Sequence, residues 1–305
     1  MNPIIYWLVQ ILLTPACAPL LVGIVRKAKA RMQNRVGASI SQPYRDLVKL
    51  FRKDETVSKD ASWVFSFAPY VIFGVTLVVG ASIPLIAAPA SGNPLADLLT
   101  ILYVLALGVF FIALAGLDVG SAFGGFGSSR EMTLAALAEG GMIFSLFALA
   151  FLAHSTNLFV IAGAVAALPL AALAPLALLF PAFFLALLAE NGRFPFDNPA
   201  THLELTMIHE AMILEYSGKK LALIEWASAN KFFIFVALAA NLFFPFGGVF
   251  GAGALAMLAF FVKVLAIALA VAVLESVIAK YRFFRLPDLL LTSLVLSAIA
   301  LILIV

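Results

Sequence analysis

The sequence predicts an all-α integral membrane protein, a bundle of about eight transmembrane helices with an in-plane amphipathic helix and short cytoplasmic loop helices. Of its 305 residues, 64% are hydrophobic and only 11% are charged. A soluble domain of this size cannot bury so much apolar surface, whereas a lipid bilayer requires it. Apolar blocks of roughly 20 residues, the length of a membrane helix, also recur along the whole chain.

The apolar blocks define one polytopic membrane domain over residues 1–305. Eight blocks lie near residues 3–25, 67–88, 98–117, 132–153, 158–188, 228–246, 251–274 and 287–305. The first has no basic segment before it and is longer than a signal-peptide core, so we expect a retained span. The fifth contains Pro169, Pro175 and Pro181. We interpret it as one long, tilted and kinked helix, because neighbouring helices can satisfy the carbonyls that proline frees. Two short helices are the alternative.

The basic residues predict the orientation of the chain in the membrane. Ten of the 19 lysines and arginines lie in the connection 26–66, and seven more lie in the other odd-numbered connections: Arg130, Arg193, Lys219, Lys220, Lys280, Arg282 and Arg285. The even-numbered connections contain none. The positive-inside rule therefore places the odd-numbered connections in the cytoplasm, and both termini outside or in the periplasm of a cytoplasmic (inner) membrane. The basic character reflects this topology, and no nucleic-acid partner is expected.

Within the first connection, Gln42-Pro43 opens an amphipathic helical pattern. Apolar side chains recur at Tyr44, Leu47, Val48 and Phe51, while Arg45, Asp46, Lys49, Arg52 and Lys53 take the other face. This spacing predicts a helix that lies in the membrane plane. Its basic face is either an anchor to anionic membrane lipid or a platform for a cytoplasmic subunit, and the two roles are compatible.

The sequence pattern contains no catalytic residue, metal site or cofactor site. The single cysteine, Cys17, excludes a disulfide within the chain and a cysteine-based zinc or iron–sulfur site. His209-Glu210 resembles the start of a zinc-protease motif, but Ile213 occupies the position of the second histidine. The glycine-rich stretch 120–127 follows a membrane helix, not a strand, so it predicts a flexible cytoplasmic turn rather than a nucleotide loop.

Acidic residues concentrate between the fifth and sixth apolar blocks. Six fall within 36 residues: Glu190, Asp197, Glu204, Glu210, Glu215 and Glu225. Ionisable groups at the mouth of a membrane bundle usually serve ions, protons or a charged partner. Arg193 lies between Glu190 and Asp197 and is expected to pair fully with only one of them, which leaves the other free to change its protonation state.

The same region predicts a short helix over residues 202–216. Thr201-His-Leu-Glu204 fits the capping box that starts a helix, and Ser217-Gly218 fits a helix stop. Glu204 is accordingly either a capping side chain or a proton carrier.

Two charges fall inside apolar blocks. Glu139 lies in the fourth block, eight residues beyond Glu131, and Lys263 lies in the seventh. A carboxylate near the bilayer centre costs roughly 2.5–3.5 kcal/mol unless it is protonated, paired or hydrated. The two residues either form a structural Glu139–Lys263 ion pair or belong to a hydrated proton path.

Motifs spread along the chain resemble a known family. They are Arg31-Met-Gln-Asn-Arg-Val-Gly37, Gln42-Pro43, Lys49-Leu-Phe51, Glu190-Asn-Gly-Arg-Phe-Pro-Phe-Asp197, Glu215-Tyr-Ser-Gly218 and Arg282-Phe-Phe-Arg-Leu-Pro-Asp288. In this order they resemble the subunit 1 family of NADH:quinone oxidoreductase. Within that superfamily, the stretch 198–218 is most similar to the membrane subunits of group 4 nickel–iron hydrogenases, the formate hydrogenlyase and hydrogenase-4 type.

One departure separates this chain from quinone-reducing relatives. Where those typically carry Pro-Glu-Ala-Glu-Ser-Glu, this chain has Pro199-Ala-Thr-His-Leu-Glu204, with one of the three carboxylates. That loop floors the quinone cavity in those relatives, so the departure favours the hydrogenase branch. A quinone-site subunit of NADH:quinone oxidoreductase is the alternative function. A secondary transporter is a further one, although the paired repeats typical of transporters are not visible.

The resemblance implies a membrane subunit that docks a soluble hydrogenase arm and links its electron transfer to ion translocation. The implied partners are a nickel–iron large subunit, a small iron–sulfur subunit and antiporter-like membrane subunits. The nickel–iron centre and the iron–sulfur clusters are expected on partners, with no cofactor on this chain. The expected coupling path comprises Glu139, Glu190, Asp197, Glu204, Glu210, Glu215 and Lys263. The residues expected to shape loops and dock partners are Arg31, Arg35, Lys49, Arg193, Arg282, Arg285 and Asp288.

The charge distribution yields a testable topology. A reporter fused after Val305 should behave as an exported protein, because 17 of the 19 basic residues lie in odd-numbered connections. Paired alkaline phosphatase and fluorescent-protein fusions measure this directly. A fusion that is active in the cytoplasm would mean an odd number of crossings.

Overall fold

The computed structural model describes residues 3–85, 94–168, 174–197, 207–244 and 254–304. Within these ranges the regular structure is helical and comprises α1 (Pro3–Met32), α2 (Gln42–Phe51), α3 (Trp63–Ser82), α4 (Leu98–Asp118), α5 (Ala122–Ala153), α6 (Leu158–Ala166), α7 (Leu176–Glu190), α8 (His209–Ile213), α9 (Gly218–Leu242), α10 (Ala254–Val277) and α11 (Leu286–Ile304), with 3₁₀ turns at Pro94–Ala96 and Phe283–Arg285. Seven helices are long and apolar enough to cross a membrane, namely α1, α3, α4, α5, α9, α10 and α11. The chain is therefore a multi-pass, all-helical membrane protein, as its composition predicts.

The fifth apolar block forms two short helices, so the interpretation as one continuous helix is wrong. Helix α6 has nine residues and α7 has fifteen, lengths of about 14 and 22 Å at 1.5 Å per residue. Pro175 is the N-cap of α7. Proline lacks a backbone N–H and its ring clashes with the preceding turn, so it favours a helix start over a helix interior. The backbone N–H of Leu98, the first residue of α4, bonds to Thr156 O just before α6 begins. Helix α7 ends at Glu190. Helices α6 and α7 therefore follow each other across the bundle.

Helix α9 lies in the centre of the bundle. Every residue from Phe232 to Leu242 is buried, which places apolar or uncharged side chains against neighbours all around the helix. It packs on α1, α3, α10 and α2. By contrast, α10 and α11 carry exposed large apolar side chains such as Leu258 and Val295, as expected for helices that face lipid. The two charges that α9 does carry near its middle, Glu225 and Lys231, lie on the side of the cavities described below.

The predicted amphipathic helix is present as α2. Pro43 and Leu47 are buried, and the helix packs on α9 and α1. The Tyr44 hydroxyl donates a hydrogen bond to Ala16 O on α1. Val48, expected on the apolar face, is half exposed, because the protein-facing side of α2 is narrower than its apolar stripe.

Helix α5 begins ten residues earlier than the fourth apolar block, so the glycine-rich stretch is mostly helical and not a flexible turn. The Ser121 side chain caps the helix by accepting the N–H of Gly124. A Cβ atom added at Gly124 would lie 2.2 Å from Gly116 O on α4. The glycines of this stretch therefore allow α5 to approach its neighbours closely.

The helix predicted over 202–216 is shorter among the described residues, where it covers His209–Ile213 only. Residues 202–206, which include Glu204, lie outside the described ranges. The chain leaves the helix after Ile213, and Gly218 starts α9 with φ of 55°. Between them, Tyr216 stacks on Phe65 at a centroid distance of 4.0 Å and donates a hydrogen bond of 2.8 Å to Phe65 O. These contacts hold the turn against α3.

The close approach of α5 and α4 predicts opposite effects for two neighbouring glycines. Gly124→Ala places a methyl group against a backbone carbonyl that cannot rotate away, so we expect destabilisation of about 1–3 kcal/mol. Gly125→Ala meets only Leu117 Cδ2 at 4.0 Å and should be neutral or stabilising, by up to about 1 kcal/mol of helix propensity. Thermal unfolding of both variants in detergent measures the difference, and equal melting temperatures would contradict the packing role of Gly124.

Candidate functional site

Two adjoining cavities lie where α1, α7 and α10 end. The inner cavity has a volume of about 60 Å³ and is lined by Glu131, Glu190, His209 and Lys231 among apolar side chains of α3, α4 and α9. The outer cavity has a volume of about 420 Å³ and a strongly charged lining. It includes Arg26, Lys29, Arg35, Arg193, Asp197, Glu210, Glu225 and Glu275. Asn191, His209 and Ser228 border both cavities, so the two are neighbours across these side chains.

A buried ion pair joins α7 to α9 at the inner cavity. Lys231 Nζ donates a hydrogen bond of 2.8 Å to Glu190 Oε2. Glu190 is only 8% exposed, and its second oxygen, Oε1, has no hydrogen-bond partner among the described residues. A buried carboxylate oxygen is normally hydrogen-bonded to protein or to ordered water. As far as the described residues show, Glu190 Oε1 is therefore an acceptor open to water, beside a cavity that Glu131 and His209 also line.

A second cluster pairs Glu275 of α10 with two bases. Arg193 Nη1 lies 3.2 Å from Glu275 Oε1, and Lys29 Nζ lies 3.3 Å from Glu275 Oε2. The guanidinium of Arg193 also lies 4.3 Å from the centroid of the Phe232 ring. The expected pairing of Arg193 with Glu190 or Asp197 is wrong. Arg193 turns instead towards an acid 82 positions away in the chain, because the ends of α1, α7 and α10 converge.

Asp197 has a structural role in the same region. It accepts a hydrogen bond of 2.7 Å from Lys280 Nζ and bonds of 3.1 Å from the backbone N–H groups of Ile208 and His209. The side chain is 3% exposed. The carboxylate thus satisfies backbone donors at the start of α8 and holds that helix against the 191–197 turn.

Helix α8 contributes two titratable groups to the cavities. Burial raises the pKa of Glu210 to about 7, helped by the negative charges of Glu225 and Asp197 and opposed by Arg26. Burial also lowers the pKa of His209, as does the charge of Lys231, whereas Asp197 opposes this shift. Near neutral pH, His209 is therefore uncharged and Glu210 exists in both protonation states.

The remaining residues of the expected path are not all at this site. Glu139 lies two turns along α5 from Glu131 and is half-buried. Lys263 Nζ donates to Phe244 O at 3.0 Å and to Asn241 Oδ1 at 3.4 Å, so the first of the two alternatives, a Glu139–Lys263 ion pair, is wrong. Lys263 extends towards the end of α9 and not towards α5. Glu215 is exposed, and Glu204 lies outside the described residues.

Six of the seven residues expected in docking are exposed to solvent: Arg31, Arg35, Lys49, Arg282, Arg285 and Asp288. Arg193 is the exception, because its ion pair with Glu275 turns it inward.

Sequence reasoning missed the roles of Glu275, Lys231 and Lys280. Lys231, close to the start of the sixth apolar block at residue 228, lies in the middle of α9. One signal could have indicated these roles: buried charges require a partner of opposite sign, so the acids predicted inside the bundle needed basic partners there.

The fold and the site define a multi-pass membrane protein with paired charges around two cavities at one end. The model of the NADH dehydrogenase family matches residues 4–305, and the chain belongs to that family.

Similar proteins place it more closely within the family. Hydrogenase-4 component C of Escherichia coli (strain K12) is 36% identical over 303 residues, which cover 97% of this chain and 94% of that protein. Formate hydrogenlyase subunit 4 of the same organism is 35% identical over 289 residues, 93% of each chain. A subunit of the NADH-quinone oxidoreductase of Anaplasma phagocytophilum (strain HZ) is 31% identical, over 67% of this chain and 64% of that protein. All three are named as subunits or components of larger assemblies.

A solved structure has the same fold. It is described as the membrane-bound sulfane sulfur reductase, an archaeal respiratory membrane complex, and a chain of it superposes with a TM-score of 0.83. The match covers 100% of both chains at 20% sequence identity. The two chains therefore share one fold over their whole length.

The raised pKa of Glu210 predicts a pH-dependent stability. An acid with an ordinary value of 4.5 and a folded value of about 7 binds more protons when folded, so stability falls as pH rises from about 4.5 to about 7. Glu210→Gln removes this slope. Its free energy of unfolding, relative to that of the wild type, should therefore increase by about 1–2 kcal/mol from pH 5 to pH 8, after allowance for solvent screening. Thermal unfolding in detergent at both pH values measures the gain, with the exposed Glu215→Gln as the matched control. A wild-type slope retained in Glu210→Gln would contradict the assignment.

Proposed function

We propose that this chain anchors a soluble nickel–iron hydrogenase arm on the cytoplasmic membrane and couples its electron transfer to ion translocation. The proposed partners are a hydrogenase large subunit, a small iron–sulfur subunit and antiporter-like membrane subunits. Supporting this, the two relatives that cover more than nine-tenths of the chain are named as parts of formate hydrogenlyase and hydrogenase-4. The redox chemistry belongs to the partners, and this chain contributes docking and coupling.

The observation that carries the coupling role is the Glu190–Lys231 pair, in which Glu190 Oε1 has no hydrogen-bond partner among the described residues. A cavity of about 60 Å³ is large enough for one or two waters, at about 30 Å³ each in the liquid. A water there would bridge Glu190 towards Glu131 or His209, which border the same cavity. Such a bridge allows a proton to move between carboxylates without a change in helix packing.

The outer cavity supplies a means of sensing the redox state of a partner. Its charges are partly desolvated, where a new charge nearby acts more strongly than it does in water. Glu210 has a pKa of about 7, so a small change in local potential shifts its proton occupancy. In this proposal, a change in charge on a docked iron–sulfur subunit alters the protonation of the outer cavity, and the inner cavity passes that change into the membrane.

The exposed basic residues around the cavities provide the docking surface. Arg31 and Arg35 lie at and just after the end of α1, Lys49 lies on α2, and Arg282 and Arg285 lie between α10 and α11. Clustered surface charge steers and orients partners of opposite charge. The surface therefore suits an acidic face of the soluble arm, on the cytoplasmic side of the membrane.

A quinone-site function has support from the 31% identity to a subunit of an NADH-quinone oxidoreductase. Sites for small organic molecules are usually lined mainly by apolar and aromatic side chains. Among the described residues, eight of the fifteen that line the outer cavity are charged. The inner cavity, at about 60 Å³ as these residues form it, is well below the roughly 300–1,000 Å³ of typical small-molecule sites. These linings favour the coupling function.

The proposal predicts a separation of assembly from coupling in Glu190→Gln, which keeps the size and a hydrogen-bonding group at this position but removes the carboxylate. Because Lys231 then loses its charge partner, some loss of stability is expected, and pumping is compared at equal amounts of assembled complex. A nickel–iron large subunit should co-purify with both wild type and variant in mild detergent. Hydrogen production by the solubilised complex with an artificial electron donor should persist, while ion pumping in sealed vesicles should fall at least tenfold. Asp60→Asn, an exposed carboxylate away from the cavities, is the matched control and should pump normally. Full pumping by Glu190→Gln would sink the coupling role, and absence of a nickel–iron partner would refute the hydrogenase assignment.

A further inference from the structure

A row of buried polar side chains leaves the inner cavity on the side away from the charged cluster. Thr76 of α3 lines the inner cavity. Its hydroxyl accepts a hydrogen bond of 3.1 Å from Asn230 Nδ2 on α9, and Asn230 is fully buried. The row therefore starts at the cavity that holds Glu190 and Lys231, in the middle of the bundle.

The row continues along the contact between α3 and α1. One helical turn beyond Thr76, Gly80 lies against Thr14, and an added Cβ would be 2.7 Å from Thr14 Oγ1. One turn from Thr14 on α1, Gln10 Nε2 donates a hydrogen bond of 2.8 Å to Ile83 O, just past the end of α3. Thr14 and Gln10 are both fully buried.

The row ends at a lysine. Asn241 Nδ2 donates to Pro84 O, the residue after Ile83. Lys263 Nζ bonds to Asn241 Oδ1 at 3.4 Å and to Phe244 O at 3.0 Å. Phe244 lies past the last residue of α9, so the ammonium group extends towards the membrane face opposite the charged cavities, as long basic side chains do near helix ends.

The unpartnered polar atoms of the protein are concentrated here. Five buried side-chain atoms lack a hydrogen-bond partner in the described part of the chain: Gln10 Oε1, Thr14 Oγ1, Asn230 Oδ1, Glu190 Oε1 and Asn191 Oδ1. The first three belong to the row, and the last two border the cavities. Buried polar groups without protein partners are normally satisfied by internal water. Three such groups in succession therefore mark positions where water can enter between the helices.

We infer that Thr76, Asn230, Thr14, Gln10, Asn241 and Lys263 form a water-lined proton path from the inner cavity to the opposite membrane face. A proton passes along hydrogen-bonded water, the Lys263 ammonium releases one proton to the water at that face, and the neutral amine takes up the next. The row contains one cationic group and no acid among the described residues, so it disfavours metal cations while it can relay protons. This goes beyond the coupling function, because the chain then conducts protons through itself as well as towards partner subunits.

Cysteine accessibility tests the water lining without any dependence on the hydrogenase assignment. In the Cys17→Ala background, which removes the single cysteine, the variants Thr14→Cys and Gln10→Cys report on the row. Ser145→Cys is the matched control, since Ser145 is equally buried but bonds within its own helix to Gly141 O. Sealed vesicles containing the whole complex are exposed to silver ions from either side, and the remaining thiols are counted with a maleimide after denaturation.

The thiols at positions 10 and 14 should react with silver at least tenfold faster than the thiol at position 145, and fastest from the face opposite the charged cavities. Rates equal to the control for both variants would overturn the path and leave these groups as interhelical contacts, which polar side chains also make in membranes.

Proton movement provides an independent measurement. Thr14→Val removes the hydroxyl at nearly constant volume, whereas Thr14→Ser retains it. In vesicles with equal amounts of assembled complex, Thr14→Val should reduce proton pumping at least twofold and Thr14→Ser should leave it near wild type. Equal pumping by the two variants would contradict a role of the Thr14 hydroxyl in conduction. Because silver reactivity does not need turnover, failure of the coupling function and failure of the path give different results.

Discussion

The burial of charge in a low-dielectric bundle is the constraint on which the charged end of this protein depends. Glu190, at the end of α7, has its charge compensated by Lys231, whose Nζ lies 2.8 Å away on α9. The same requirement places two bases on Glu275 and one on Asp197. Removing one member of such a pair leaves an uncompensated buried charge. The pairs therefore determine how the ends of α1, α7 and α10 come together around the middle of α9.

These pairs also underlie the coupling function that we propose. In the pair at the inner cavity, Glu190 Oε2 accepts a hydrogen bond from Lys231, while Oε1 has no partner in the described part of the chain. In the proposed function this pair passes a change in protonation from docked partners into the membrane, and in the inferred path the polar row from Thr76 to Lys263 extends it towards the opposite face.

Local features of the fold followed well from the sequence. The apolar blocks predicted the spans, and the pattern after Gln42 predicted α2, because both depend on the periodicity of neighbouring residues. The places where helices start and end were harder to predict. Pro175 interrupts the fifth span, and Ser121 starts α5 well before its apolar block begins. Both depend on whether a neighbouring helix satisfies or crowds the backbone at that point. The local sequence pattern does not contain this information.

The sequence by itself determined that this is a polytopic helical membrane protein and that acids cluster next to its fifth span. Both follow from the cost of exposing backbone and charge to lipid, which acts on every residue locally. Only the tertiary structure decided which charges meet. The partners of Glu190, Arg193 and Asp197 lie 41, 82 and 83 positions away, and Lys263 bonds to the end of α9 instead of Glu139. Coulomb attraction selects the nearest opposite charge in space, and that distance is set by helix packing and not by spacing along the chain.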